Sequence, residues 1–122
     1  MVSLGGMNDD PDDATLRARY QPLLTAEAAA LRDASTASSA DRRPVTLDQQ
    51  SVGRLSRMDA MQQQAMAAAQ QARRDGRLRA IDAALARLTV GGFGWCDDCG
   101  DFIGFKRLDL DPTAMRCILC AR

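Results

Sequence analysis

Four cysteines are the side chains best placed to do chemistry in this chain. Cys96 and Cys99 form one Cys-x-x-Cys pair, and Cys117 and Cys120 form a second. They are the only cysteines, no histidine competes with them, and seventeen residues separate the inner two. That is zinc-ribbon spacing, in which two residues between ligands let a tight turn aim both sulfurs at one ion. Gly100, directly after Cys99, can take the positive φ that such a turn uses. Four thiolates make a closed tetrahedral zinc site, with Zn–S bonds of about 2.3 Å and no position left for water or substrate. The expected role is therefore structural: one Zn2+ holds a fold together. Two disulfides would need an oxidising compartment, and the start of the chain, MVSLGGMNDD, has neither the basic nor the long apolar region of a signal peptide. A thioredoxin-like pair would stand alone between a strand and a helix, whereas here two pairs flank a short loop-rich segment.

The composition narrows the function classes. Sixteen acidic and sixteen basic residues cancel, and four thiolates with one Zn2+ take the charge to about −2. This is not the basic footprint of a nucleic-acid binder. No apolar run approaches the ~20 residues of a membrane span, so a cytoplasmic location is expected. The thirty or so residues around the cysteines are too few to bury a large core, and the metal takes its place. No Ser/His/Asp set, Gly-rich phosphate loop or open metal position suggests an enzyme.

The elements that must carry this site are helical. Residues 1–10 are small, polar and Gly-containing and are expected to be flexible. Asp10-Pro11-Asp12-Asp13 then offers a capping side chain, a proline for the first helical position and acids for the positive helix end. A helix from about Pro11 to about Ala37 follows, with Leu16, Tyr20, Leu23, Leu24, Ala28 and Leu31 at helical spacing. Pro22 is expected to kink or interrupt it near Arg19 to Gln21. The segment STASSADRRP, 35–44, has lost this periodicity and is rich in turn formers. Thr46-x-x-Gln49 fits a capping box for a second, longer helix running to about Thr89, roughly 65 Å. Gly76 is its one weak point, at ~1 kcal/mol relative to alanine. Its apolar stripe is read as Val52, Leu55, Met58, Ala65, Ala68, Ala72, Leu78, Ile81, Leu85 and Leu88, with Met58, Met61 and Met66 filling gaps in the seam.

So narrow a stripe needs a partner helix, and the short connection makes the first helix that partner. Charge agrees: residues 1–41 hold seven acids and three arginines, and residues 42–90 hold four acids and nine arginines. The fold class is mainly α: a long antiparallel helical hairpin, or coiled coil, over residues 11–90 with a tip loop at about 35–48, then a small C-terminal four-cysteine zinc finger over 91–122. Such a fold lacks a cleft for a small molecule and reads as a binding module.

The finger sequence is specific enough to suggest a family. Aromatic Phe93 and Trp95 precede Cys96, and Gly100, Ile103, Arg107-Leu108 and Pro112-Thr113-Ala114 stand between the cysteine pairs. Together with both ligand spacings, this run of about thirty residues closely resembles the DksA/TraR zinc-finger family. The resemblance implies a transcription factor that binds RNA polymerase, not DNA, with its coiled coil in the secondary channel. It also implies a tip pattern Asp-x-x-Asp-x-Ala acting near the polymerase active site. The matching stretch here starts at Asp48, with Ser51 in place of the second Asp and Gly53 in place of the Ala. Some family members bind the alarmone ppGpp through basic residues; the matching positions here are Asp111 and Ala121, and an acid repels a polyphosphate. No ppGpp role is therefore expected, nor a counterpart of the family's C-terminal helix, and the chain is expected to be a monomer. Read from the residues alone, the rivals are an interaction module for another protein and a thiol-based redox sensor that releases zinc.

Overall fold

The computed structural model describes residues 10–39 and 54–121, and the side chains from Ser56 onwards in the second stretch. Three helices appear in this part: α1, Asp13–Ala37; α2, Arg54–Val90; and α3, Phe105–Leu110. No strand forms among the described residues, and Trp95 and Phe102 make an isolated antiparallel bridge. The fold is the antiparallel helical hairpin followed by a small cysteine-bearing finger. The expected N-terminal flexibility, the Thr46/Gln49 capping box, the tip residues Asp48, Ser51 and Gly53, and the seam positions Val52 and Leu55 lie outside the described residues or side chains.

Asp12 starts α1. Its carboxylate accepts the backbone N–H of Thr15 at 2.7 Å; the Thr15 side chain first and this N–H second lower its pKa, and its carbonyl accepts the N–H of Leu16 at 3.1 Å. Pro11 thus precedes the cap and does not occupy the first helical turn. Pro22 lies inside an unbroken helix, so of the two expectations, a kink or an interruption, the interruption does not occur. The carbonyl that loses its donor belongs to Ala18, and both Ala18 and Pro22 lie on the exposed face, where solvent can satisfy that carbonyl.

The chain divides into two compact units, one made of residues up to Glu27 with Arg79 onwards, the other of Ala28–Leu78. The first unit holds most of the core. Leu16, Tyr20 and Leu24 of α1 and Ile81, Ala84 and Leu88 of α2 are buried, together with Phe93, Cys96, Ile103, Leu108 and Ala114 of the finger. Arg17 donates from Nε to the Leu88 carbonyl at 3.3 Å, satisfying one of the orphan acceptors at the end of α2. Leu23, read as a core position, is 52% exposed.

In the second unit the apolar stripe of α2 is not where hydrophobicity alone puts it. Met58, Met61 and Met66 are more than half exposed, and Ala65, Ala68 and Ala72 are exposed too. Among the less exposed positions are Arg57, Ala60, Gln64, Ala67, Gln71, Arg74 and Leu78, continuing in the first unit as Ile81, Leu85 and Leu88. Their spacing alternates three and four throughout, which is a heptad seam. In the second unit its large members, Leu78 apart, are polar, so the most apolar residues fall on a neighbouring face.

Replacing Ile81 by Ala removes a fully buried side chain from a core site, and a loss of about 2 to 5 kcal/mol is expected. Asp59→Ala, on the exposed face, should change stability by less than ~0.5 kcal/mol. Denaturant titration of both variants checks the register; equal losses would show it to be wrong.

Candidate metal centre

The finger begins where α2 ends. Gly91 N–H closes the helix on the Arg87 carbonyl at 2.8 Å, and the chain then folds back over Gly94–Ile103. Ile103 N–H bonds the Gly94 carbonyl at 2.7 Å, Cys96 N–H the Asp101 carbonyl at 2.8 Å, and Gly100 N–H the Cys96 carbonyl at 3.0 Å. The last of these closes the turn that carries Cys96 and Cys99, and Gly100 takes φ 79° within it, as its place after Cys99 suggested. Cys117 and Cys120 form the matching turn, with the Cys117 carbonyl accepting from Cys120 and Ala121 at 3.1 and 2.9 Å. Two contacts bring the turns together, Asp97 N–H to the Met115 carbonyl at 2.8 Å and an exposed Arg116–Asp98 ion pair at 3.4 Å, and Arg107 Nε, from the short helix α3, donates to the Arg116 carbonyl at 2.7 Å.

These turns place the four cysteine sulfurs within 4.8 Å of one another. Cys99 and Cys117 stand 3.7 Å apart, far beyond a disulfide bond, and all four thiols are free. A tetrahedron with Zn–S bonds of ~2.3 Å has an edge of about 3.8 Å, so this spacing fits. The electrostatics fit as well. Cys96 is buried, and its sulfur accepts from the backbone N–H of Cys99 first and Cys117 second, which holds its pKa down at about 6 despite burial. The N–H of Asp101 acts in the same sense on Cys99, but the neighbouring Cys96 and Cys117 sulfurs and burial outweigh it and raise that thiol. Cys120 is pushed up to about 12 by the Cys117 sulfur and then by that of Cys96. Four ionised sulfurs this close repel one another unless a cation sits among them.

What anchors the finger to the hairpin is an aromatic and ionic clamp on α1. Tyr20 is fully buried, 5.4 Å from the Phe93 ring and 6.5 Å from Phe105, and its hydroxyl donates to Asp109 at 2.8 Å. Arg19 reaches the same carboxylate with Nε at 3.1 Å and Nη2 at 2.7 Å, and its guanidinium lies 4.6 Å from the centre of the Phe105 ring. Arg19 and then Tyr20 lower the Asp109 pKa; burial first and the Asp109 bond second raise that of Tyr20 to about 12. Gly94 completes the contact: at φ 89°, a Cβ there would meet Phe102 at 3.3 Å and Leu16 at 3.4 Å.

Comparison with known proteins agrees with this geometry. The family model for the prokaryotic dksA/traR C4-type zinc finger matches residues 91–122. The RNA polymerase-binding transcription factor DksA of Haemophilus influenzae is 46% identical over 43 residues, 35% of this chain and 30% of that protein. The structure of transcription factor DksA2 from Pseudomonas aeruginosa superposes with a TM-score of 0.74 at 27% identity, covering 92% of this chain and 88% of that one. Residues 91–122 are a zinc finger of the DksA/TraR family. This C4 finger carries a structural zinc, for which the clustered cysteines supply the donors. The chain thus matches under a third of the length of the curated DksA but most of the DksA2 structure.

Sequence reasoning brought the four cysteines together, and the fold does the same. It missed the Arg19–Tyr20–Asp109 clamp, whose partners stand 89 and 90 residues apart with no local signal linking them. Asp111, considered only as a repulsive acid, shapes the turn at Pro112. Its Oδ1 accepts from the backbone N–H of Thr113 at 3.0 Å and from the Thr113 hydroxyl at 2.7 Å.

Two outcomes follow. Cys117→Ser should abolish stoichiometric zinc and unfold residues 91–121, leaving much of the helical signal of the hairpin; metal analysis with circular dichroism checks this, and full zinc content in the variant would contradict it. Asp109→Asn should lower the thermal midpoint. The folded Asp109 pKa is depressed, so its contribution is complete above the ordinary carboxylate range and is lost only as pH falls through the lowered value. At neutral pH, then, salt is the lever: the pair is about half exposed, and the difference between variant and wild type should shrink as salt is added.

Proposed function

We propose that this chain is a DksA-like transcription regulator that binds RNA polymerase through the secondary channel and modulates initiation without contacting DNA. The observation that carries the reading is the DksA2 likeness, which spans hairpin and finger together over 92% of the chain; the 46% identity to a polymerase-binding DksA adds sequence-level support for a 43-residue stretch. Two elements follow from it. The finger, with Cys96, Cys99, Cys117 and Cys120 as the zinc ligands, fixes the base of the hairpin; the coil tip, with Asp48, Ser51 and Gly53, is the part that acts.

The chain works as a monomer in the cytoplasm, is not an enzyme and does not use ppGpp. Its formal charge of zero argues against a DNA-binding face. The Asp111 carboxylate disfavours a polyphosphate at the position where relatives carry a base. No helix among the described residues is long and apolar enough to cross a membrane.

Asp48→Asn separates docking from action. The change keeps the size and nearly all the helix-capping capacity of the side chain, so stability should shift by no more than ~1 kcal/mol. Polymerase affinity should stay close to wild type while the effect on initiation is largely lost. A binding titration and an initiation assay on the same protein test this; a variant that binds and regulates like wild type would make Asp48 a helix-end acid and nothing more.

A further inference from the structure

Arg87 carries the one buried polar side-chain atom without a partner among the described residues: its Nη2 is shut off from solvent and makes no hydrogen bond. A group in that position costs free energy unless something nearby offsets the loss. Its place on α2 shows where the offset lies. Ala80, Ala84, Arg87 and Gly91 are spaced four, three and four apart and are all buried or half-buried, whereas Ala83, Ala86, Thr89 and Val90 are exposed. Arg87 therefore stands on the covered side of the last turn of α2, the turn that Gly91 N–H closes and from which the finger starts. Burial lowers its pKa, and the Asp97 carboxylate is the charge that opposes this. Asp97 follows Cys96 directly, and its N–H joins the first cysteine turn to the second through the Met115 carbonyl at 2.8 Å. The cation at the helix end thus acts on the first cysteine turn.

That turn is rich in negative charge. Asp97, Asp98 and Asp101 stand within it or at its edge, and four thiolates on one Zn2+ add about −2. Loading increases the charge, because at neutral pH zinc displaces protons from thiols and leaves the site more negative than before. A cation held nearby favours the loaded state over the empty one, and does so more strongly out of solvent than in it. Arg116 serves Asp98, but that pair is exposed, with 3.4 Å between the charged atoms, and open to screening by salt. Arg87 supplies the sheltered charge.

We infer that Arg87 is a positioning residue of the zinc centre: acting through Asp97, its sheltered guanidinium offsets the negative charge of the loaded four-cysteine site and raises the affinity of the finger for zinc. Residues outside the ligands tune metal sites in this way without touching the ion. The inference rests on the zinc assignment and is independent of the polymerase reading.

The test is zinc affinity, measured on the full chain at neutral pH by competition with a chromogenic chelator, with circular dichroism on the same samples. Arg87→Met and Arg87→Gln remove the charge and keep much of the length, and Arg87→Lys keeps the charge. Both uncharged variants should lose about tenfold or more in zinc affinity, the usual consequence of an outer-shell change, with the helical signal of the loaded chain unchanged. Arg87→Lys should stay close to wild type. Asp97→Asn should raise the affinity more in the Arg87→Met chain than in the wild type, where Arg87 already balances that carboxylate. Uncharged variants that hold zinc as tightly as wild type would overturn the inference. So would a lysine variant as weak as the uncharged ones, or an Asp97→Asn effect equal in both backgrounds, which would make the two residues independent. If the methionine variant does not fold, the comparison of glutamine with lysine, both polar, decides the question alone.

Discussion

Tyr20 is the contact on which the first unit depends. A finger of about thirty residues has too little apolar surface to stand alone, and zinc accounts for only part of what it lacks. The rest is borrowed from α1: Tyr20 lies against Phe93 and Phe105, Leu16 lies within van der Waals reach of where a Gly94 side chain would start, and Leu108 is fully buried. The Tyr20 hydroxyl would be costly to bury without a partner, and Asp109 takes it. Arg19 then balances the Asp109 charge and covers Phe105. Zinc holds the two turns closed, and the aromatic clamp ties the finger to the helix; neither contact substitutes for the other.

The two units of the hairpin are built on different physics. Where the finger attaches, Leu16, Tyr20, Leu24, Ile81 and Leu88 give ordinary apolar burial. In Ala28–Leu78 Leu31 and Leu78 are joined on the seam by alanines and polar side chains, some of them hydrogen-bonded across the helices. Few buried apolar contacts mean a low free energy of local opening, so this unit should exchange its amides sooner than the first.

The sequence was most legible where a residue type has one dominant use. Four cysteines with no histidine, at fixed spacing, leave zinc as the economical reading, and apolar residues spaced three and four apart mark α1 as a helix. It was least legible where burial and hydrophobicity part company. Gln64, Gln71 and Arg74 occupy seam positions, while Met58, Met61 and Met66 face solvent, so a stripe drawn through the apolar residues lands on the wrong face. Pro22 does not end α1: the Ala18 carbonyl it orphans lies on the exposed face, where water can satisfy it. The clamp between Arg19, Tyr20 and Asp109 was beyond local reading, since only the folded chain brings those residues together.

The most direct measurement is equilibrium binding of the zinc-loaded chain to purified RNA polymerase, set beside the same chain stripped of metal by a chelator. The zinc-loaded chain should form a one-to-one complex in which the hairpin cross-links to the secondary channel, and the stripped chain should bind far more weakly because its finger no longer fixes the base of α1. A zinc-loaded, folded chain that shows no affinity for the polymerase, or one that binds equally well without metal, would contradict the account.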